Sequence, residues 1–320
     1  MELRQLRSLV ALSETGFNVT QAAERLHLVQ SAVSQHLSRL EDELGVVLFN
    51  RQGKRLTGIT AAGEKVLHYA RKTLADTENI LSIGRDFAED MQGTLRLGTT
   101  HAQACYVLPP ILRAFRKSYP DVVVQIHQGT PRQLVEMAIK DDVDLSICTE
   151  ALGDSPALES INCYRWNRSL ITLPDHPILK QHPLSLDTLC EYPIITYVSG
   201  FTGGSHFRKS FARLGLKPQV VLSAADSDVI KTYVRECFGI GIIVSFAYSE
   251  KNDSDLEVID LSRLFPWENT RIAYIKDKYL RSYESHFITL VQKSIADNGV
   301  SNINQSSSSA QSNADTKLSG

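Results

Sequence analysis

The sequence predicts three parts in series: a small helical unit carrying one β-hairpin, a single long helix, and a larger α/β domain folded as two lobes. Three observations predict this. Within the first 45 residues, apolar positions repeat at helical spacing in three runs separated at Gly16, around His27 and at Gly45. After Thr60, leucine and alanine recur in alternating steps of three and four, the spacing of a helical seam. From Gly93 onward, short β-rich runs alternate with helical ones, as in parallel strands joined by crossover helices. At 320 residues the chain also exceeds what one hydrophobic core usually serves.

The first helix is written in Leu3, Leu6, Leu9, Val10 and Leu12. Thr20 is expected to cap a second, through Ala22, Ala23 and Leu26. The third sets Val33, Leu37, Leu40 and Leu44 in one narrow stripe, and Gly45 closes it. Its other face carries Ser31, Ser34, Gln35, Ser38 and Arg39, with Gln30 just ahead. Exposed helix faces more often carry Glu–Lys pairs; serine, glutamine and arginine suit base edges and phosphates in a major groove. The plain alternative is a solvated polar face. Next, VVLFNRQGKRLTGIT places Arg51, Gly53, Lys54 and Arg55 between two strand-like pieces. Such a basic wing would follow a phosphate backbone. The net charge of −2 gives no overall pull toward nucleic acid, so affinity has to come from such local groups.

Thr20-Gln21-Ala22-Ala23 with Leu26, the run QSAVSQHLSRLEDELGVVLFNR and LTGITAAG resemble the winged helix-turn-helix of LysR-type transcriptional regulators, without a gap over most of the first 65 residues. The candidate DNA-contacting residues are Thr20, Gln30, Ser31, Ser34, Gln35, Ser38, Arg39, Arg51, Lys54 and Arg55. The resemblance implies double-stranded promoter DNA and self-association, as a homodimer or homotetramer, with RNA polymerase as a further candidate partner.

Thr60 can cap the long helix, whose Leu67, Ala70, Leu74, Thr77 and Leu81 form a coiled-coil seam on which two copies should pack. The alternative is docking on its own second domain. Residues 84–93, GRDFAEDMQG, shift in composition and are expected to be a hinge. The expected boundaries are 1–59 for the winged helix-turn-helix, 60–92 for linker helix and hinge, and 93–300 for the effector domain.

In that domain TLRLGTT, VVVQIH and DLSIC read as strands, with helices to Arg116 and Lys140. LITL, PIITYV, QVVLSA and GIGIIV form a second set, with helices over 205–214 and 226–236. RIAYI and a helix over 282–295 return to the first lobe, so lobe I spans about 93–163 and 267–297 and lobe II 164–266, and the chain crosses twice. Ligands of open α/β sheets sit at the carboxyl ends of strands, here a cleft. Thr99 and Thr100 follow one such end ahead of a helix start whose free N–H groups, with hydroxyls, can hold an oxyanion without lysine or arginine. Thr149 and Thr202 stand at comparable ends, and Gln128-Gly129-Thr130-Pro131 is a fourth candidate. Each threonine alone reads as an ordinary helix cap; their joint placement favours a ligand site. His101, without a paired carboxylate, reads as a structural hydrogen-bonding group.

TTHAQACYVLPP, HQGTP, CTEAL, CYRWNRS, PDHP, YPIITY, SGFTGGS and SDVIKTYVRECFGIGII are similar to the CysB-like subgroup of that family. The similarity implies a periplasmic-binding-protein-like effector domain and regulation of sulfur assimilation and cysteine biosynthesis. Its effector would be small and anionic or acetylserine-type: sulfate, thiosulfate or acetylserine. Thr100, Gln103, Thr149 and Thr202 would hold it, beside Thr99, with Trp166 as wall or gate. Ala102, Cys105 and Gly204 depart from the subgroup motifs, which have threonine, arginine and arginine there. A different inducer, for sulfonate or sulfate-ester utilisation, is the alternative.

The five cysteines are scattered without a CxxC pair, so neither a disulfide framework nor a zinc site is expected. No catalytic constellation, phosphate loop or cofactor motif is visible, which weighs against an enzyme on the same two-lobed fold. MELRQLRSLV lacks the features of an export signal, unlike a solute-binding protein, and no apolar run has membrane length. A cytoplasmic location and no membrane partner are expected. Residues 301–320, serine-rich and aperiodic, are expected to be disordered.

Overall fold

The structure, a computed structural model, describes residues 1–53, 55–88, 92–199 and 204–296. The chain divides into two units, Met1–Asp90 and Met91–Gly320. Expectations for residues 301–320 lie outside the described residues. Among the described residues no helix is long and apolar enough to cross a membrane.

In the first unit, α1 (Leu3–Glu14), α2 (Val19–Arg25) and α3 (Gln30–Leu44) enclose a core of Leu9, Leu12, Ala22, Val33 and Leu40. Asn18, not Thr20, starts α2: its side chain accepts the N–H groups of Thr20 and Gln21 at 3.1 and 3.2 Å. Asparagine is the stronger N-cap, and it takes up the N–H of Thr20 itself, which becomes a helical residue. The α3 stripe ends at Leu40, because Leu44 lies beyond the core and is exposed. Gly45, at φ +66°, makes the left-handed turn out of α3.

β1 (Phe49–Gln52) and β2 (Arg55–Ile59) form the expected antiparallel hairpin. Glu41 of α3 holds its base, accepting the N–H groups of Leu48 and Phe49 at 2.7 and 3.3 Å. Thr60 caps α4 (Ala61–Phe87), accepting from the Gly63 N–H at 3.0 Å. A Cβ on Gly63 would stand 2.3 Å from the Leu48 carbonyl oxygen, so only glycine lets α4 start this close to the hairpin. Leu67 and Ala70 are buried and Leu74 half-buried against the helical core of the same unit. That corrects the seam: its first half is used within the chain, on α1 and its neighbours rather than on a second copy or the second domain. Ile80, Leu81, Ile83 and Phe87 are exposed. The helix runs through Phe87, so residues 84–87 of the expected hinge are helical.

The second unit holds two five-stranded sheets. The first lobe contains β3 (Gly93–Thr99), α5 (His101–Tyr106), α6 (Leu108–Ser118), β4 (Val122–Gln128), α7 (Pro131–Ile139), β5 (Leu145–Cys148) and β6 (Leu158–Trp166). The second contains β7 (Arg168–Thr172), α8 (Leu186–Cys190), β8 (Ile194–Tyr197), α9 (Gly204–Arg213), β9 (Val220–Ala224), α10 (Ser227–Arg235), β10 (Ile240–Val244) and β11 (Glu257–Asp260). β12 (Glu268–Ile275) and α11 (Ser282–Ala296) then return to the first. Strand orders are β4-β3-β5-β12-β6 and β9-β8-β10-β7-β11. In each sheet four strands run in one direction, and one, β12 in the first and β7 in the second, runs antiparallel to them.

One expected helix is two: the chain breaks at Val107 (φ −103°, ψ −47°), because Pro109 and Pro110 at the start of α6 have no N–H to continue α5. The strands β6 and β11 escaped the sequence reading, as did the short α8. Both strands lie at sheet edges, and their burial alternates poorly. The lobes meet at two adjacent crossings. At the first, Asn167 donates through Nδ2 to the Phe265 carbonyl of the second at 3.0 Å. Arg168 pairs with Glu268 across them at 3.1 Å, both side chains being buried.

Candidate functional site

β3 ends at Thr99, and the chain turns through Thr100 into α5; β5 ends at Cys148 and leaves Thr149 beyond its carboxyl end. Parallel pairing of β3 with β5 therefore brings the two threonines to one edge of the sheet. Thr100, Gln103, Pro131, Thr149 and Glu150 of the first lobe and Phe246 of the second line a cavity there. It is small, about 10 Å³ for the centre of a water-sized sphere, which is room for one water. A larger guest requires the lobes or side chains to move apart.

The polar groups form one network. The Thr99 hydroxyl lies 3.3 Å from Gln103 Oε1 and donates to the Ile147 carbonyl at 3.2 Å. Gln103 Nε2 donates to Thr270 Oγ1 at 3.3 Å, and Thr270 meets Thr149 Oγ1 at 3.3 Å. The Trp166 indole N–H donates to Thr149 at 3.0 Å. Thr99 is fully buried behind the cavity rather than in its wall. Trp166 is buried as well, edge-on to Phe246, and backs Thr149 from outside the cavity lining. Thr202 lies outside the described residues.

The helix-cap reading separates the candidates. Thr130 is such a cap, bonded to the Gln133 N–H at 3.2 Å. Thr100 starts α5 with no side-chain cap bond, so its hydroxyl is left to the cavity. Thr270 was missed because β12 returns from a distant part of the chain, and only the topology sets it beside Thr149. Of the fourth candidate stretch, Gln128-Gly129-Thr130-Pro131, Pro131 lines the cavity.

At the cleft mouth, His101 Nε2 lies 3.2 Å from Asp228 Oδ2 of the other lobe. This corrects the expectation that His101 has no paired carboxylate. Tyr106 donates to the other Asp228 oxygen, and Lys231 Nζ lies 3.3 Å from the Tyr106 hydroxyl and 2.7 Å from Asp253. Burial pushes the Asp228 carboxyl up, but the hydrogen bonds from Tyr106 and His101 outweigh it and hold the carboxyl below its ordinary value. The Tyr106 hydroxyl is raised, first by burial and then by Asp228.

In the first unit, Gln30, Ser31, Ser34, Gln35, Ser38 and Arg39 are all exposed on α3, as is Thr20 on α2. Val29, ahead of α3, is exposed too, an apolar group of the kind that meets thymine methyls. Arg55 is exposed, while Arg51 is held by Glu41 at 2.5 Å and is less free to meet a phosphate. Lys54 lies outside the described residues.

Comparison with known proteins adds to this geometry. Residues 3–64 match the bacterial regulatory helix-turn-helix protein of the lysR family, and residues 88–296 match the LysR substrate binding domain. The HTH-type transcriptional regulator CysB of Burkholderia cenocepacia is 39% identical, over 92% of this chain and 94% of that protein. SsuR of the same organism is 40% identical, over 91% and 94%. The crystal structure of the cofactor-binding domain of the Cbl transcriptional regulator superposes with a TM-score of 0.61 at 37% identity, covering 63% of this chain and 89% of that one.

Proposed function

The chain belongs to the LysR family of bacterial transcriptional regulators, and from that premise we propose that it controls sulfur-assimilation and cysteine-biosynthesis genes through a small effector bound between its lobes. It is a DNA-binding regulator related to CysB, SsuR and Cbl. The observation that carries the effector reading is the uncharged network around one interlobe cavity: Thr100, Gln103 and Thr149, supported by Thr99, Thr270 and Trp166. Hydroxyls and amides fixed at strand ends recognise carboxylate, ester or sulfur oxyanion groups by hydrogen bonding alone. Glu150 in the same lining opposes a free dianion such as sulfate or thiosulfate and favours a guest with an ammonium group, as in O-acetylserine.

On the DNA side, the exposed face of α3 reads a promoter major groove and the wing follows its backbone. The protein acts in the cytoplasm as a homodimer or homotetramer, with the exposed Ile80, Ile83 and Phe87 of α4 available to a second copy. The effector shifts regulation by binding closed and open lobes unequally. A second reading, an alkanesulfonate or sulfate-ester response, is favoured by Ala102 and Cys105 standing where the subgroup motif has threonine and arginine.

Gel-shift of a sulfur-assimilation promoter with O-acetylserine, sulfate, thiosulfate and an alkanesulfonate tests the reading, together with calorimetric titration of the full chain. The acetylserine-type compound should change DNA binding, and Thr100→Ala should weaken its binding about tenfold, one hydrogen bond's worth. DNA binding indifferent to all four compounds defeats the effector reading.

A further inference from the structure

His101 and Cys105 stand four residues apart on α5, on one face of the helix, and Asp228 of α10 approaches them from the other lobe. Their ligand atoms all lie within 4.8 Å of one another. His101 Nε2 is 3.5 Å from Cys105 Sγ and 3.2 Å from Asp228 Oδ2. Zinc bonded tetrahedrally to nitrogen, sulfur and oxygen at about 2.1, 2.3 and 2.1 Å sets neighbouring ligands about 3.4–3.6 Å apart. The two observed separations are close to those edges. We propose that His101, Cys105 and Asp228 bind a divalent cation of the zinc class across the two lobes, with a fourth position open to solvent.

The surroundings fit this chemistry. Asp228 keeps its second oxygen on the Tyr106 hydroxyl, an outer bond that fixes the carboxylate as a ligand. The nearby cation Lys231 is paired with Asp253 at 2.7 Å. All three ligands are reachable, with His101 and Asp228 side chains 37% and 55% exposed and Cys105 exposed. Burial and then Asp228 and Asp226 push the Cys105 thiol up. A bound cation inverts that balance: the thiol proton leaves to solvent and the thiolate enters the coordination shell. Sequence spacing concealed the site because its third ligand comes from the other lobe. Bound metal would hold α5, which carries Gln103, against α10 and so favour the closed lobes whatever the effector is.

The test uses the full chain, stripped with a chelator and titrated with Zn²⁺ against a chromogenic competitor, then with Co²⁺ to read thiolate coordination. The wild type should take one equivalent and show a thiolate–cobalt charge-transfer band. Cys105→Ser should lose the band, and Cys105→Ser, His101→Ala and Asp228→Asn should each lower zinc affinity at least tenfold. Cys237→Ser, which removes the other exposed cysteine, should change neither. Zinc should raise the melting temperature of the wild type but not of Cys105→Ser, whose metal-free melting matches the wild type. Equal zinc affinity in wild type and Cys105→Ser, or a band lost in Cys237→Ser instead, overturns the proposal.

Discussion

Thr149 shows how one hydroxyl serves fold and site together. It accepts the indole N–H of Trp166 at 3.0 Å and meets Thr270 at 3.3 Å while lining the cavity. Thr149→Val keeps the shape but leaves the indole N–H of buried Trp166 without its partner, at a cost of about 1–3 kcal/mol. Urea unfolding should show that loss, calorimetry should show weakened effector binding, and Thr149→Ser should recover both. Unaltered stability in the valine variant would mean that the indole finds another acceptor. Thr100 and Thr149 stand just after strand ends, a position that local pattern defines, whereas Gln103, inside α5, was pointed to only by the resemblance to the CysB-like subgroup. Thr270 and Asp228 were not legible in the sequence, since their neighbours are set by a returning strand and by the opposing lobe.

Elements with strong periodicity, such as α1, α3 and α4, could be read directly, but their ends depended on finer competition. Asn18 outcompetes Thr20 for the start of α2, although both are capping residues. Asn18→Ala should therefore cost about 1 kcal/mol in thermal or urea unfolding, and Thr20→Ala should leave that start intact. A larger loss from Thr20→Ala would reverse the assignment. The α4 stripe was correctly seen as apolar, but its first half, Leu67, Ala70 and Leu74, packs within the same unit: spacing says that a face is covered, not by what. Strands β6 and β11 were invisible because their burial does not follow the strict alternation that marks a half-buried strand.

Across the whole second unit, charge pairing joins distant segments of the first lobe. Asp144 accepts from the Arg96 guanidinium at 2.6 Å and from Lys278 at 2.9 Å. Burial raises its carboxyl, but these cations outweigh that and hold it below its ordinary value. Its contribution is thus complete above the unfolded carboxyl value of about 4 and is lost as pH falls through the lower folded one. Glu284, raised by burial, works in the opposite sense, so comparison with Asp144→Asn isolates the pair. That variant should be less stable by about 2 kcal/mol at neutral pH, and the gap should narrow on acidification below pH 4. A gap constant with pH would show that packing, not charge, sets it. The paired crossings carry a further consequence. Asn167 and Arg168 on the outgoing strand are tied to Phe265 and Glu268 on the returning one, so the two crossings form one joined pin between the lobes. Trp166, the last residue before that pin, grips Thr149. In the proposed effector reading, a guest at Thr149 would therefore press beside the place where the two lobes are joined.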